Sequence, residues 1–206
     1  MPRDGTASLV GWLRRLPALL AVVLLTTTAG MAPSFAQSAP KAGAYRSDAL
    51  QAVFLINFIR FTEWPEAASP GKTPFVIGVA GSRAIEDELL TLAETQRVRE
   101  RRIHVISIKT ANDLAGCHLV YINPAPGLGD ESAPRAAELL PHLRGKPVLT
   151  VSESPSFLAE GGIVNFFMGE GGKLRFEIAL ETARSADLKL SSKLLDLARI
   201  VTPPKP

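Results

Sequence analysis

The feature that most constrains the fold is a set of short, almost unbroken apolar runs separated by stretches with helical patterning. Phe75-Val76-Ile77-Gly78-Val79-Ala80, introduced by Pro74, is the first, and Ile103 to Ile108, Leu119 to Asn123 and Pro147 to Ser152 repeat it. Runs of this length without a regular polar face suit strands buried on both sides, which occur in parallel sheets with helices above and below. Between them, Ile85 to Ala93 and Arg135 to Leu143 carry the three-and-four spacing of helices. The expected fold class is therefore α/β, a mostly parallel sheet covered by helices on both faces. After Gly161-Gly162 the pattern changes. Ile163 to Met168 and Leu174 to Ile178 flank Gly169-Glu170-Gly171-Gly172, which reads as an antiparallel hairpin. The chain should end in helix, from Glu181 through Ser191 to Ile200, before Pro203-Pro204.

Ahead of the first run, Leu50, Val53, Phe54, Ile56, Phe58, Ile59 and Phe61 recur at helical spacing over a wide face, and Trp64-Pro65 ends the pattern. A face this broad has to lie against a sheet, so this helix should be a core element. Asn57 stands out within it, since a buried amide needs hydrogen-bond partners.

The N-terminus reads differently. Arg14 and Arg15 precede an apolar run from Leu16 to Leu25, and Ser34 and Ala36 supply the small residues of a signal-peptidase site. The run is well short of the ~20 residues a transmembrane helix needs. Residues 1–36 are thus expected to be a cleaved secretory signal peptide on the ordinary export route, an uncleaved anchor being the alternative. Residues 37–44 read as a disordered lead-in, 45–201 as one domain and 202–206 as a tail. Loss of the signal removes three arginines and one aspartate, so the formal charge falls from +3 to +1. The basic balance is mostly a targeting effect, and a near-neutral domain lacks the footprint of a nucleic-acid binder. Arg97, Arg99, Arg101 and Arg102 form the one basic cluster, interspersed with Glu94 and Glu100. They read as a solvated loop, with an anionic-partner patch as the lesser reading.

The single cysteine, Cys117, cannot form a disulfide within its own chain. Its place before Leu119-Val120-Tyr121-Ile122 favours burial over a bridge to another chain. His104, His118 and His142 share no metal-ligand spacing. Cys117 and His118 are neighbours on a strand pattern, so their side chains point apart and do not make a nucleophile and base. Ser152-Glu153-Ser154 lacks the flanking glycines of a nucleophile elbow. Nothing in the residues demands an enzyme, a metal or another cofactor.

Six separated motifs resemble one family. They are Ala49 to Pro65; Gly78-Val79-Ala80-Gly81; Cys117 to Ile122; Pro147 to Ser152; Phe157 to Phe166 followed by Lys173 to Ile178; and Leu188 to Leu195. In this order they are similar to YfiR/HmsC-like periplasmic proteins over nearly the whole exported chain. The resemblance implies a non-enzymatic regulator that binds the periplasmic domain of an inner-membrane diguanylate cyclase and represses it, lowering cyclic di-GMP and biofilm formation. Well-studied members carry cysteine pairs that form disulfides, and this chain, with Cys117 alone, departs from them.

The candidate partner- or ligand-binding residues are Asn57, Gly81, Ser152, Phe166, Arg175, Phe176 and Ser192. Each has a plain structural reading beside the functional one, since aromatic residues at regular spacing are more often core than contact surface. A second function class stays open: a small-molecule sensor whose ligand sits near Gly81 and Ser152, at the C-terminal ends of the parallel strands, where open α/β sheets bind. A homodimer is also open at this level.

Overall fold

The computed structural model describes residues 42–124 and 133–202. The signal peptide expected over 1–36, the start of the expected lead-in and most of the expected tail lie outside the described residues. Chain order is α1 (Ala42–Arg60), β1 (Thr62–Glu63), β2 (Phe75–Ala80), α2 (Arg83–Thr95), β3 (Ile103–Ser107), β4 (Leu119–Ile122), α3 (Ala136–Leu143), β5 (Leu149–Ser152), β6 (Val164–Met168), β7 (Leu174–Ala179), α4 (Leu180–Ser185), β8 (Lys189–Leu190), α5 (Ser192–Leu195) and β9 (Arg199–Val201). The helix α1 begins at Ala42, inside the span read as a disordered lead-in.

Seven strands form one mixed sheet in the order β3-β2-β4-β5-β6-β7-β9. The first five run parallel, β6 and β7 form the antiparallel hairpin, and β9 lies parallel to β7 at the edge. The two faces are divided by the alternation of side chains along each strand. Ile77, Val79, Leu119, Tyr121, Leu149 and Val151 point to one face, where α1 supplies Leu55, Phe58 and Ile59, and α2 supplies Ile85 and Leu89. Ala80, Val120 and Ile122 point to the other, covered by Leu139, Leu140 and Leu143 of α3 and by Phe157. The two-sided parallel sheet expected from the apolar runs is present.

Local chemistry fixes the element ends. Ser82 is the N-cap of α2, and its Oγ accepts from the Ile85 amide at 3.3 Å. Gly81, with φ +74°, supplies the left-handed turn between β2 and that cap. Gly162 allows the chain to pass Phe157, because a Cβ there would lie 2.3 Å from two ring carbons.

The C-terminal end differs from the expected continuous helix. α4 stops at Ser185, Asp187 adopts φ +55°, and Leu188 N–H returns to Ala183 O at 3.0 Å. This is a left-handed helix stop of the kind aspartate tolerates. The chain then adds β8, which pairs with β1, and β9, which extends the main sheet. Leu188 and Leu194 are buried as a helix would have them, but an apolar spacing of this kind is equally met by short strands and turns.

Candidate functional site

Two of the sequence candidates, Phe166 and Phe176, are directly opposite each other on β6 and β7 and are buried. They meet α1: Phe58 lies 5.6 Å from Phe166 and 5.0 Å from Phe176, ring centre to ring centre, and Phe54 lies 6.0 and 5.6 Å from the same pair. These offset and edge-on contacts are the packing aromatic rings favour. The four rings fasten α1 to the hairpin; Phe58, Phe166 and Phe176 are buried and Phe54 is half-buried.

Gly81 and Ser152 do sit together at the C-terminal ends of the parallel strands, and both are occupied in holding the strands' ends. Ser152 Oγ donates to Ile122 O at 2.6 Å, and Asn123 Nδ2 donates to Gly81 O at 2.7 Å. Beside them is a polar cluster that sequence reading missed. Gln51 of α1 is buried and donates to Glu153 Oε2 at 2.9 Å; Tyr121 Oη donates toward Gln51 Oε1 at 3.3 Å and Glu153 Oε1 at 3.4 Å. Burial, then the Glu153 carboxylate, pushes the Tyr121 phenol well above its ordinary range, so it remains a neutral donor. Burial, and after it the charges of Glu153 and Glu88, raises Asp48 above the usual carboxylate value. The only sequence signal for this cluster is a glutamine on the buried side of an apolar helix.

Asn57 is half-buried in a crevice between α1 and α2. Its Oδ1 accepts from Arg60 at 2.8 Å, and it lines a small cavity of about 80 Å³ with Val53, Ile56, Arg60, Leu92 and Gln96. Arg175 is exposed on β7, opposite Phe167 of β6. On the same stretch of hairpin Asn165 donates to Glu177 at 3.2 Å, Glu177 pairs with Arg199, and the Arg199 guanidinium stacks 4.2 Å from the Phe167 ring centre. Ser192 is exposed at the start of α5, whose cap is Ser191. The seven candidates therefore divide: Phe166 and Phe176 are together in the core, Gly81 and Ser152 are together at the strand ends, and Asn57, Arg175 and Ser192 stand apart.

The arginine cluster has structural work. Arg97 donates to the carbonyls of Ala93, Glu94 and Gln96 at the end of α2, and Arg99 to those of Arg60 and Thr62 at the end of α1. Cations at helix C-termini satisfy carbonyls that have no partner within the helix. Arg101 is buried, bonds Ser69 and Thr73, and lies 3.8 Å over the Phe75 ring.

Cys117 is buried, and desolvation pushes its thiol up to about 11. His118 Nδ1 accepts from the Val76 amide at 3.1 Å, and burial, then the Arg101 charge, lowers it to about 4. The imidazole is thus neutral at ordinary pH, packed against Trp64 and Phe75. Among the described residues no group of histidine, cysteine, aspartate and glutamate side chains is placed to hold a metal, and no helix is long and apolar enough to cross a membrane.

A cavity of about 460 Å³ lies elsewhere. It opens between the end of α3, the turn at 158–161 and α4. Neither Gly81 nor Ser152 lines it.

None of the curated proteins matches the chain. The profile of the YfiR/HmsC-like family matches residues 48–199, from within α1 to the first residue of β9. That family comprises periplasmic, non-catalytic regulators of cyclic di-GMP signalling. With a match over all but the ends of the described fold, this chain belongs to the YfiR/HmsC-like family.

Proposed function

We propose that this chain is exported by residues 1–36 and represses an inner-membrane diguanylate cyclase by binding its periplasmic domain, so lowering cyclic di-GMP and biofilm formation. The observation that carries the reading is the family match over residues 48–199. The geometry supports it in two ways. The groups that would do chemistry are withdrawn: Cys117 and His118 are buried, and Tyr121 is held as a neutral donor. The hairpin and C-terminal segment also leave unlike side chains outside, with Arg175, Met168, Ser192 and Leu197 exposed and three-residue β9 at the sheet edge. A mixture of methionine, leucine and arginine on one surface suits a protein partner. Arg175 and Ser192 are assigned to that contact, while Phe166 and Phe176 support it from within.

The test combines deletion with capture. Removing the gene should raise cellular cyclic di-GMP and biofilm, and the exported protein should retain a membrane-bound cyclase from inner-membrane extract. Unchanged cyclic di-GMP across several growth conditions would defeat the repressor reading.

A further inference from the structure

The 460 Å³ cavity falls in the range of small-molecule sites, roughly 300–1,000 Å³. Its walls are mostly aliphatic, with Leu140, Leu143, Val148, Leu158, Ile163 and Ala186, and carry the hydroxyl residues Thr182, Ser185 and Thr202 beside them. Val148 immediately precedes β5 and Ile163 immediately precedes β6, so the cavity lies toward the N-terminal ends of these strands, away from Gly81 and Ser152. Three charged residues line it: Arg144, Glu160 and Glu181. Both carboxylates already have donors. Glu181 accepts from Arg184 at 2.7 Å, and Glu160 accepts from the Ser156 hydroxyl. The Thr150 hydroxyl accepts from the Ile163 amide at 3.0 Å. Arg144 is exposed and makes no ion pair or side-chain hydrogen bond among the described residues. Its Nε lies 4.0 Å from where a Cβ on Gly161 would be, which places the guanidinium over the Gly161 turn at the cavity's edge.

An aliphatic chamber with one unpaired guanidinium at its edge is the complement of an amphiphile with an anionic head. The planar fork of arginine binds a carboxylate through two parallel hydrogen bonds, and an alkyl body would lie against Leu140, Leu143, Val148, Leu158 and Ile163. We propose that this cavity binds a medium-chain aliphatic monocarboxylate, with its carboxylate on Arg144 and its chain against the α3 and β5–β6 side chains. The site is independent of the cyclase reading and is tested on the purified chain alone.

The experiment is calorimetric titration with decanoate, decan-1-ol and decylamine, each below its micelle concentration. Decanoate should bind saturably and at least about tenfold more tightly than either analogue, the scale of one charged hydrogen-bonded pair. Arg144→Gln should remove that advantage and leave decan-1-ol binding unchanged. Ser185→Trp, at an exposed position on the lining, should abolish binding of all three while leaving the melting temperature of the free protein unaltered. Preference for decylamine, absence of saturable decanoate binding, or decanoate binding indifferent to either substitution would each overturn the assignment.

Discussion

Gln51 Nε2 donates to Glu153 Oε2 at 2.9 Å and so joins the buried side of α1 to the residue that follows β5. The same glutamine accepts from Tyr121 on β4, and one amide therefore holds a helix against two strands. Gln51→Leu removes both bonds and leaves a buried phenol with one long bond to Glu153. It should cost about 1–3 kcal/mol, read as a lower urea midpoint at unchanged slope.

Asp48 adds a pH dependence at this place. Its carboxyl is raised above 3.8 by burial and by Glu153 and Glu88, so the folded state binds a proton more readily than the unfolded chain. Stability then falls as pH rises from 3.8 through the folded-state value, and the penalty persists above it. Asp48→Asn should stabilise the protein at pH 7 by about 0.5 kcal/mol, the scale of a partly exposed charge interaction. The gain should vanish below pH 3.8, where the native carboxyl is protonated in both states. Paired urea titrations at pH 7 and 3.5 check it.

His118 acts in the opposite sense. Its folded value of about 4 lies below the ordinary 6.5, so the unfolded chain takes up the proton first. Its contribution is complete above pH 6.5 and is lost as pH falls toward 4, a total on the order of 3 kcal/mol. His118→Asn keeps an acceptor for the Val76 amide without titrating. That variant should show a flatter stability profile between pH 6.5 and 4.

Gly162→Ala forces a methyl group into the Phe157 ring, whose atoms stand 2.3 Å from the new Cβ. Phe157 is fully buried and cannot withdraw, so overpacking should cost about 3 kcal/mol. Adding Phe157→Leu should restore part of the loss, seen as a recovery in melting temperature.

Phe166 and Arg175, on facing strands of the hairpin, separate fold from contact. Phe166→Ala empties a fully buried position and should cost about 3–5 kcal/mol in chemical unfolding. Arg175→Glu is on the exposed surface and should alter stability by under about 0.5 kcal/mol. If Arg175 meets the cyclase, the same substitution weakens capture of the partner from inner-membrane extract.

The architecture was legible because the central parallel strands are buried on two sides and so declare themselves as unbroken apolar runs; β2, β4 and β5 appear to within one or two residues. β1 and β8, two residues each, have no period to detect, and they exist only because the chain reverses at Asp187 and returns beside Thr62. The expected helix to Ile200 failed for the same reason. Leucine spacing reports that side chains are buried, and not whether helix or turn buries them.

For the site, the division is sharper. The chain's own pattern determined that Phe58 would be interior, that Cys117 would be buried, and which family the domain resembles, whereas the burial of Phe166 and Phe176, read from sequence as contact candidates, was decided by the hairpin's register against α1. Only the tertiary structure decided that Gln51, Tyr121 and Glu153 share a hydrogen-bond cluster, that Arg97 and Arg99 close helix ends, and that the 460 Å³ cavity lies beside Arg144 rather than Gly81. Periodicity is a local property, set by neighbours a few residues away. Polar clusters and cavities depend on strand register and on how helices seat against the sheet, and Gln51 and Glu153 are brought together across 102 positions of sequence.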